Sequence, residues 1–266
     1  MKVRDRCSEV DSASAQLIPR VVYSTIDKKR IRKIHASGIE EFRSNNPEYK
    51  FVLFDNEQQH DYVSSKFRGE KILDIFERSK FGVMRADIFR VALMLFEGGV
   101  CIDSSKRLRI PLKQTIPPTA RFIFAHEQNK ISGQIDINTD ERIVNNHLNF
   151  IVCWCMMSCS GNPIYETMIE QIERDSAKFE NIVYENPKTA ILELTATYQY
   201  TKVVWKHLIG GFRDFHYAGI DFKEETSIYI PEAHSHSPFR QHYTTFKNEK
   251  ILYSMPDETK IKKRHT

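Results

Sequence analysis

The chain has 266 residues, of which 39 are lysine or arginine and 35 are aspartate or glutamate, so its formal net charge is +4. Because the two signs balance closely, the charge excludes the strong positive field of a dedicated nucleic-acid-binding protein, and no nucleic acid partner is expected. The length is sufficient for one large α/β domain with a substantial core.

Targeting signals and cysteines suggest where the protein works. No stretch approaches the ~18 consecutive apolar residues of a membrane span, and residues 1–15 lack the apolar segment of a signal peptide. Four of the five cysteines lie in apolar surroundings, which indicates buried free thiols in a reducing compartment. We therefore expect a soluble, cytoplasmic protein. If it acts on lipid-linked acceptors, it either docks peripherally on the cytoplasmic side of the membrane or is a catalytic fragment whose anchor was removed.

The order of the predicted elements indicates an α/β domain. We expect a lead-in over residues 1–17, one domain over residues 18–246 and a basic tail over residues 247–266. The predicted strands are short apolar runs between turn residues: 18–25, 50–56 including its terminal acidic turn, 100–102, 122–125, part of 145–158, and 228–231. The predicted helices show apolar residues at helical spacing: 28–42, parts of 57–79, 84–97 and 164–179.

The most informative stretch is residues 85–105, together with Met84 directly before it. Its helix has apolar residues three and four positions apart, which predicts one buried stripe: Met84, Ile88, Val91, Ala92, Leu95 and Phe96. Asp87 and Arg90 lie on another face, close enough to contact each other or a shared ligand. Gly98 and Gly99 end this helix, and a short apolar strand then places Asp103 at its carboxyl end, where open α/β sheets bind ligands.

This stretch resembles the sugar-binding region that carries the DXD motif in glycosyltransferase family 32. The shared pattern is Ala-Asp-Ile-Phe-Arg at 86–90, Gly-Gly at 98–99 and the acidic turn at 103–105, where Ser105 replaces the second aspartate. The strand at 18–25 and the Asn-Pro-Glu-Tyr segment before the second strand also resemble this family. The resemblance implies a nucleotide-sugar-binding domain of the GT-A type, with a mixed central sheet flanked by helices.

The resemblance also implies roles for individual residues. Asp87 and Arg90 would contact the donor sugar, and Asp103 would ligate Mn²⁺ or Mg²⁺, which prefer oxygen ligands; these three are the predicted catalytic residues. The predicted nucleotide-sugar contacts are Tyr23, Arg85, Asp87, Arg90, Gly99, Asp103 and Ser104. Without the resemblance, the sequence would indicate that Asp103 is a turn or capping residue and that Asp87 and Arg90 form an intrahelical ion pair.

Further metal ligands and contacts are less specific in the sequence. Ser105 offers a hydroxyl in place of the missing carboxylate, and the family resemblance implies a histidine ligand near the C-terminus, for which we favour His242, then His234. His236 is a third candidate. Thr195 is the one match to the family's Thr-Gly-Pro segment, and Ile26 stands where the family has a base-stacking tryptophan.

The predicted function is that of a retaining, metal-dependent glycosyltransferase. It would move a hexose from a nucleotide sugar, with UDP-sugar favoured over GDP-mannose, to the hydroxyl of a glycan that is free or lipid-linked. Because no carboxylate can be named as a nucleophile, front-face displacement is the expected mechanism. The alternatives are a catalytically silent nucleotide- or glycan-binding domain and a toxin-like transferase acting on protein. The basic tail is either solvated or in contact with an anionic membrane.

Overall fold

The computed structural model describes residues 16–26, 33–127, 150–222, 227–229 and 243–254, with the backbone alone at 33–35 and 227–229. Its strands, in chain order, are β1 (Val21–Thr25), β2 (Lys50–Phe54), β3 (Gly99–Ile102), β4 (Lys106–Leu108), β5 (Phe122–His126), β6 (Cys155–Ser158), β7 (Val183–Tyr184), β8 (His216–Ile220), β9 (Ser227–Tyr229) and β10 (Glu249–Lys250). Its α-helices are α1 (Lys33–Ser44), α2 (Asn56–Lys66), α3 (Lys71–Arg78), α4 (Gly82–Phe96), α5 (Leu112–Thr115), α6 (Pro163–Asp175), α7 (Pro187–Leu194) and α8 (Thr197–Ile209).

The central sheet has six strands in the order β2-β1-β3-β6-β5-β8. All neighbours are parallel except at β6, which runs antiparallel to both β3 and β5. The carboxyl ends of β1, β2, β3, β5 and β8 therefore lie at one edge of the sheet, which we call the carboxyl edge. Two small antiparallel pairs, β4 with β9 and β7 with β10, lie outside this sheet.

Two hydrophobic cores lie on opposite faces of the sheet, because alternate strand residues point to opposite sides. In β3, Cys101 belongs to the larger core, which α2, α3, α4 and α6 cover, whereas Val100 and Ile102 belong to the smaller one. In β5, Phe122 and Phe124 face the larger core, and Ile123 faces the smaller one, to which Phe42 of α1 also belongs. The expected mixed sheet flanked by helices is confirmed.

Helix α4 differs from the predicted amphipathic helix because it is buried on every side. Leu93 and Met94, outside the predicted stripe, are fully buried, and so are Asp87 and Arg90 to within a few per cent. Phe96, by contrast, is only half-buried. The strand β3 and the other helices enclose α4, so its polar pair lies inside the protein rather than on a solvated face.

The ends of other elements follow local hydrogen bonds. The second strand ends at Phe54, and Asp55 in the acidic turn after it caps α2. The Asp55 carboxylate accepts from the Gln58 N–H, and the Gln58 side chain accepts from the Asp55 N–H, both at 3.0 Å. Asn162 caps α6 by accepting from the Ile164 N–H at 3.0 Å, so the predicted Gly-Asn-Pro helix start is confirmed.

The C-terminal part of the described chain belongs to the fold. Ile251 and Leu252 are fully buried in the larger core, so the fold extends beyond residue 246, where the sequence pattern placed the end of the domain. The charge of the surrounding residues concealed this apolar pair. Among the described helices, none combines the length and apolar character needed to cross a bilayer.

Candidate active site

Arg90 lies between two carboxylates at the carboxyl edge. Its Nη2 donates to Asp87 Oδ1, one turn earlier on α4, and its Nη1 donates to Asp103 Oδ1 just after β3. Nη1 also lies 3.3 Å from the backbone carbonyl of Cys153. The remaining donor, Nε, is buried and has no hydrogen-bond partner among the described residues. The structure therefore brings together the three residues that the sequence predicted to be catalytic, Asp87, Arg90 and Asp103, which we call the triad.

The turn after β3 fixes the position of Asp103. The Asp103 N–H donates to the carbonyl of Trp154 at 2.8 Å, and its carbonyl accepts from the Lys106 N–H at 2.9 Å. This tight turn holds Ser104 half-exposed and buries Ser105. The Asp103 side chain is 37% exposed, whereas that of Asp87 is 3% exposed. Asp103 is thus the member of the triad that an incoming ligand can reach.

In the triad, burial and the neighbouring charges shift the pKa values of Asp87 and Arg90 in opposite directions. Burial raises the pKa of Asp87 to about 6, although Arg90 and a hydrogen bond from Thr195 both act to lower it. Burial alone would lower the pKa of Arg90, but Asp103 and Asp87 outweigh it and hold that pKa well above its ordinary value. Arg90 is therefore charged at all accessible pH values, while the ionisation of Asp87 is sensitive to mild acid.

Three residues that were not predicted as site residues complete the surroundings of the triad. Thr195, noted only as a family match, donates to Asp87 Oδ2 at 3.0 Å from the end of α7. Cys153 contributes the carbonyl that faces Arg90. Tyr243 lies close enough that, after burial, the charges of Asp87 and Asp103 raise its pKa. Its position directly after His242 was the one sequence signal for Tyr243, since the family pattern has a histidine–aromatic pair there.

A cleft that is open to solvent lies beside Asp103 and Ser104. It lies on the smaller-core side of the sheet, between α1, the ends of β1 and β2, and the turn after β3. Its lining combines apolar and basic side chains: Val22, Ser24, Ile39, Phe42, Phe51, Ile102, Lys106 and Arg107.

Three of the predicted nucleotide-sugar contacts lie away from this cleft. The Tyr23 ring packs on the opposite face against Phe54, with ring centroids 6.2 Å apart. Arg85 donates to the carbonyl of Ser79 at 2.5 Å, a contact that supports the loop before α4. Gly99 begins β3 at the end opposite to Asp103, where an added Cβ would lie 2.8 Å from the Val21 carbonyl. Their ligand roles stay predictions, and their contacts here are structural.

The predicted histidine ligands, His242, His234 and His236, lie outside the described residues. Within the described part of the chain, no group of three or more histidine, cysteine, aspartate or glutamate side chains is arranged to hold a metal. Asp103 with the hydroxyls of Ser104 and Ser105 is the oxygen-rich set that the structure places at the carboxyl edge.

Two solved structures define the class of fold. The chain is similar to the PaToxG glycosyltransferase, with a TM-score of 0.53 and 11% identity over 73% of this chain and 70% of that one. It is also similar to the UDP-bound glycosyltransferase domain of the YGT toxin, with a TM-score of 0.52 and 10% identity over 82% of each chain. The fold is therefore that of the GT-A glycosyltransferase domains, as expected.

Sequence comparison identifies the segment that carries the site. Residues 33–122 match the family described as the glycosyltransferase sugar-binding region containing the DXD motif, which confirms the resemblance. The chain is similar to two mannosyl phosphorylinositol ceramide synthases of Saccharomyces cerevisiae: it is 30% identical to SUR1 over 88 residues and 25% identical to CSH1 over 88 residues. These matches span 33% of this chain and only 22% and 23% of the two yeast proteins.

Proposed function

We propose that this protein is a glycosyltransferase that moves a hexose from a nucleotide sugar to a glycan hydroxyl with retention of anomeric configuration. The observation that carries the proposal is the Arg90 bridge between Asp87 and Asp103, within the matched sugar-binding region. The desolvation cost of a buried ion pair largely offsets its attraction, so such a pair is weak evidence of a role in stability. The buried Arg90 Nε also supports a ligand, because buried donors normally find an acceptor.

In this proposal the cleft beside Asp103 holds the nucleotide. Phe42 and Phe51 supply apolar surface for a base, and Lys106 and Arg107 supply positive charge for phosphates. Ser24 and Ile102, joined by a hydrogen bond of 2.8 Å, form its floor at the ends of β1 and β3. The diphosphate then lies next to Asp103 and Ser104, and the sugar lies towards Arg90.

The oxygen donors at the end of β3 fit a hard divalent cation. Asp103 offers a partly exposed carboxylate, and Ser104 and Ser105 offer hydroxyls, the ligand types that Mg²⁺ and Mn²⁺ prefer. Oxygens of the diphosphate would complete such a site, together with His242 or His234 if either reaches it. A cation bound there supplies Lewis-acid stabilisation of the leaving diphosphate.

The residues of this chain would act by position and charge. Arg90 and Asp87 orient the transferred sugar, and Arg90 places a fixed positive charge beside the breaking bond. Both oxygens of Asp87 already accept hydrogen bonds, from Arg90 and Thr195, which disfavours Asp87 as a nucleophile. The acceptor hydroxyl attacks the anomeric carbon on the face that the diphosphate leaves, and a phosphate oxygen takes the hydroxyl proton.

Two different observations favour particular donor and acceptor substrates. The family resemblance favours a UDP-sugar, whereas the two curated yeast relatives, named mannosyl phosphorylinositol ceramide synthases, favour a mannose donor and a lipid-linked acceptor. UDP-hexoses and GDP-mannose are therefore the donors to compare first. Transfer of label from such a donor to protein in a cell lysate, rather than to glycan or lipid, would point to the toxin-like alternative.

Release of nucleoside diphosphate tests the proposal. We expect the protein with Mn²⁺ to cleave at least one UDP- or GDP-sugar, and Asp103→Asn to lower this rate by about a hundredfold or more, as loss of one electrostatic contact at the reacting centre does in other enzymes. Glu170→Gln, which changes an exposed acid on α6 in the same way, is the matched control.

A second candidate function is that of a nucleotide- or glycan-binding domain without catalysis. Ser105 favours it, because this serine replaces the second aspartate of the motif and leaves the metal site one carboxylate short. Ligands that bind only the folded state raise the melting temperature. A rise with a nucleotide sugar, without release of nucleoside diphosphate, would support this candidate. If the folded protein neither binds nor cleaves any of these donors, both functions are wrong.

We also propose that the protein works in the cytoplasm and contacts anionic membranes through its basic tail. Residues 255–266 include Lys260, Lys262, Lys263 and Arg264, and each such charge contributes about 1 kcal/mol near an anionic surface. We expect co-sedimentation with vesicles containing phosphatidylserine, but not with phosphatidylcholine vesicles, and its loss at high salt. Equal binding to both vesicle types would contradict this role.

A further inference from the structure

Glu127 is a second buried acidic residue at the carboxyl edge. It directly follows β5 and is only 5% exposed. Both β3 and β5 run antiparallel to β6, so their carboxyl ends point the same way. With one strand between them, the ends of β3 and β5 lie about 10 Å apart. Across the edge the order is therefore Asp103, then Cys153 ahead of β6, then Glu127.

The link between α7 and α8 joins Glu127 to the triad. Thr195 donates to Asp87 Oδ2 at 3.0 Å, and Thr197, two residues later, donates to Glu127 Oε1 at 3.4 Å. The two threonine Cα atoms can be at most about 7 Å apart. One short segment of backbone thus carries a hydroxyl for each of the two buried carboxylates.

Cys153 provides a second connection. Its carbonyl faces Arg90 Nη1 at 3.3 Å, while its Sγ lies 2.9 Å from the same Thr197 hydroxyl. The Thr197 hydroxyl thus contacts both Cys153 Sγ and Glu127 Oε1, so these two side chains are neighbours. Glu127 therefore shares a polar network with Arg90 and Asp87.

We propose that Glu127 determines specificity for the transferred sugar, by accepting hydrogen bonds from hexose hydroxyls on the side away from the diphosphate. This assignment rests on the proposed function, in which Asp103 faces the diphosphate and Arg90 the middle of the sugar. Along the edge Glu127 lies on the far side of Cys153 from Asp103, and the carbonyl of Cys153 faces Arg90. The roughly 10 Å between the ends of β3 and β5 is a distance that a sugar ring with its hydroxyls can span. A carboxylate has several lone pairs that accept hydrogen bonds, and its charge strengthens the bonds that it accepts from sugar hydroxyls.

The sharpest variant is Glu127→Gln, which keeps the shape of the side chain but removes its charge. We expect kcat/KM for the preferred nucleotide sugar to fall about 10- to 100-fold. A site built to hydrogen-bond a hydroxyl also rejects a donor that lacks it, and this discrimination should weaken in the variant. Affinity for the free nucleoside diphosphate should not change, because that ligand has no sugar to transfer.

The experiment compares wild type, Glu127→Gln and the exposed control Glu170→Gln. It measures cleavage of the preferred donor and of its deoxy and epimeric analogues, and calorimetric affinity for UDP or GDP alone. Reduced discrimination with unchanged nucleoside diphosphate affinity supports the assignment. Discrimination in Glu127→Gln that equals that of the wild type overturns it. A variant that loses both nucleoside diphosphate affinity and melting temperature also overturns it, because that result shows a structural role for Glu127. If wild type cleaves no donor, the proposed function fails first, and this assignment fails with it.

Discussion

At the scale of single residues, Arg90 organises the site. It lies between the carboxylates of Asp87, which is buried, and Asp103, which is partly exposed. Its positive charge offsets the repulsion between them. Asp87 in turn fixes the guanidinium, with Thr195 holding its second oxygen. Because these groups are coupled, the protonation of Asp87 should affect both the stability and the activity of the protein.

The first prediction concerns the pH dependence that Asp87 causes. Burial raises its pKa from the ordinary 3.8 to about 6, so the folded state binds this proton more tightly than the unfolded state. The contribution of Asp87 to the free energy of unfolding is therefore largest below pH 4 and is lost as the pH rises through about 6. Activity should change in the opposite direction, because an ionised Asp87 is needed to hold Arg90.

We expect kcat/KM for donor cleavage to fall about tenfold per pH unit below pH 6, as for a single ionisation. Asp87→Asn, which has no carboxyl group to titrate, should have lower activity without this limb. Urea unfolding of both proteins at pH 4.5 and pH 7 provides the stability comparison. Parallel pH profiles for the wild type and the variant would show that Asp87 does not cause the effect.

The second prediction concerns Ser105, which stands where the motif has its second aspartate. Ser105→Asp should tighten Mn²⁺ binding about tenfold, because a second carboxylate then joins Asp103. Since Ser105 is buried, the new charge should also lower the melting temperature without metal. Saturating Mn²⁺ should restore the melting temperature. Ser104→Asp, at the neighbouring half-exposed position, is the control; equal metal affinity in all three proteins would contradict the proposed geometry of this turn.

At the scale of elements, the unit formed by α4, the two glycines and β3 sets the position of the triad. Gly98 has a φ of +67° and Gly99 a φ of +95°, conformations that residues with a Cβ adopt rarely. Gly98 also packs directly against another backbone segment: an added Cβ would lie 2.5 Å from the Ser160 N and 2.7 Å from the Ser158 carbonyl oxygen. The chain can therefore reverse between α4 and β3 only with glycine at this position.

Gly98→Ala should lower the free energy of unfolding by about 2–4 kcal/mol, from backbone strain and overpacking together. Gly82→Ala is the matched control, since Gly82 begins α4 without a positive φ and the nearest atom to its added Cβ is Arg85 Nη2 at 3.8 Å. The control should be neutral or slightly stabilising, because alanine favours the helix. Urea unfolding at neutral pH measures both, and similar midpoints would refute the steric argument.

At the scale of the whole molecule, the C-terminal segment closes the larger core near the site. Lys80 pairs with Glu249, and the Lys80 N–H donates to the Ile251 carbonyl at 3.0 Å. Tyr243, at the start of the same segment, packs against the larger core close to Asp87. The packing of the C-terminal segment therefore helps to hold the geometry of the site.

Truncation tests this connection. Ending the chain after residue 254 should leave the melting temperature unchanged, because Ile251 and Leu252 are retained. Ending it after residue 246 removes both, and the loss of two fully buried side chains should cost about 2–5 kcal/mol each. Thermal melts and nucleoside diphosphate release distinguish the two proteins. Equal stability of both truncated proteins would show that the segment is dispensable.

The sequence by itself determined the features that depend on neighbours along the chain. The spacing of Asp87 and Arg90, the two glycines and the strand before Asp103 are local, so they predicted α4, β3 and the contact between Asp87 and Arg90. The Asn162 cap of α6 is local in the same way.

Tertiary structure decided what depends on strand order and packing. The burial of α4 on every side, the contact of Thr195 with Asp87 across 108 positions and the position of Glu127 beside the site all require distant segments to meet. Ile251 and Leu252 look like part of a basic tail until the core that encloses them is known. The physical reason is that periodicity reports which face of an element is apolar, whereas the identity of its neighbours follows only from how the sheet and helices assemble.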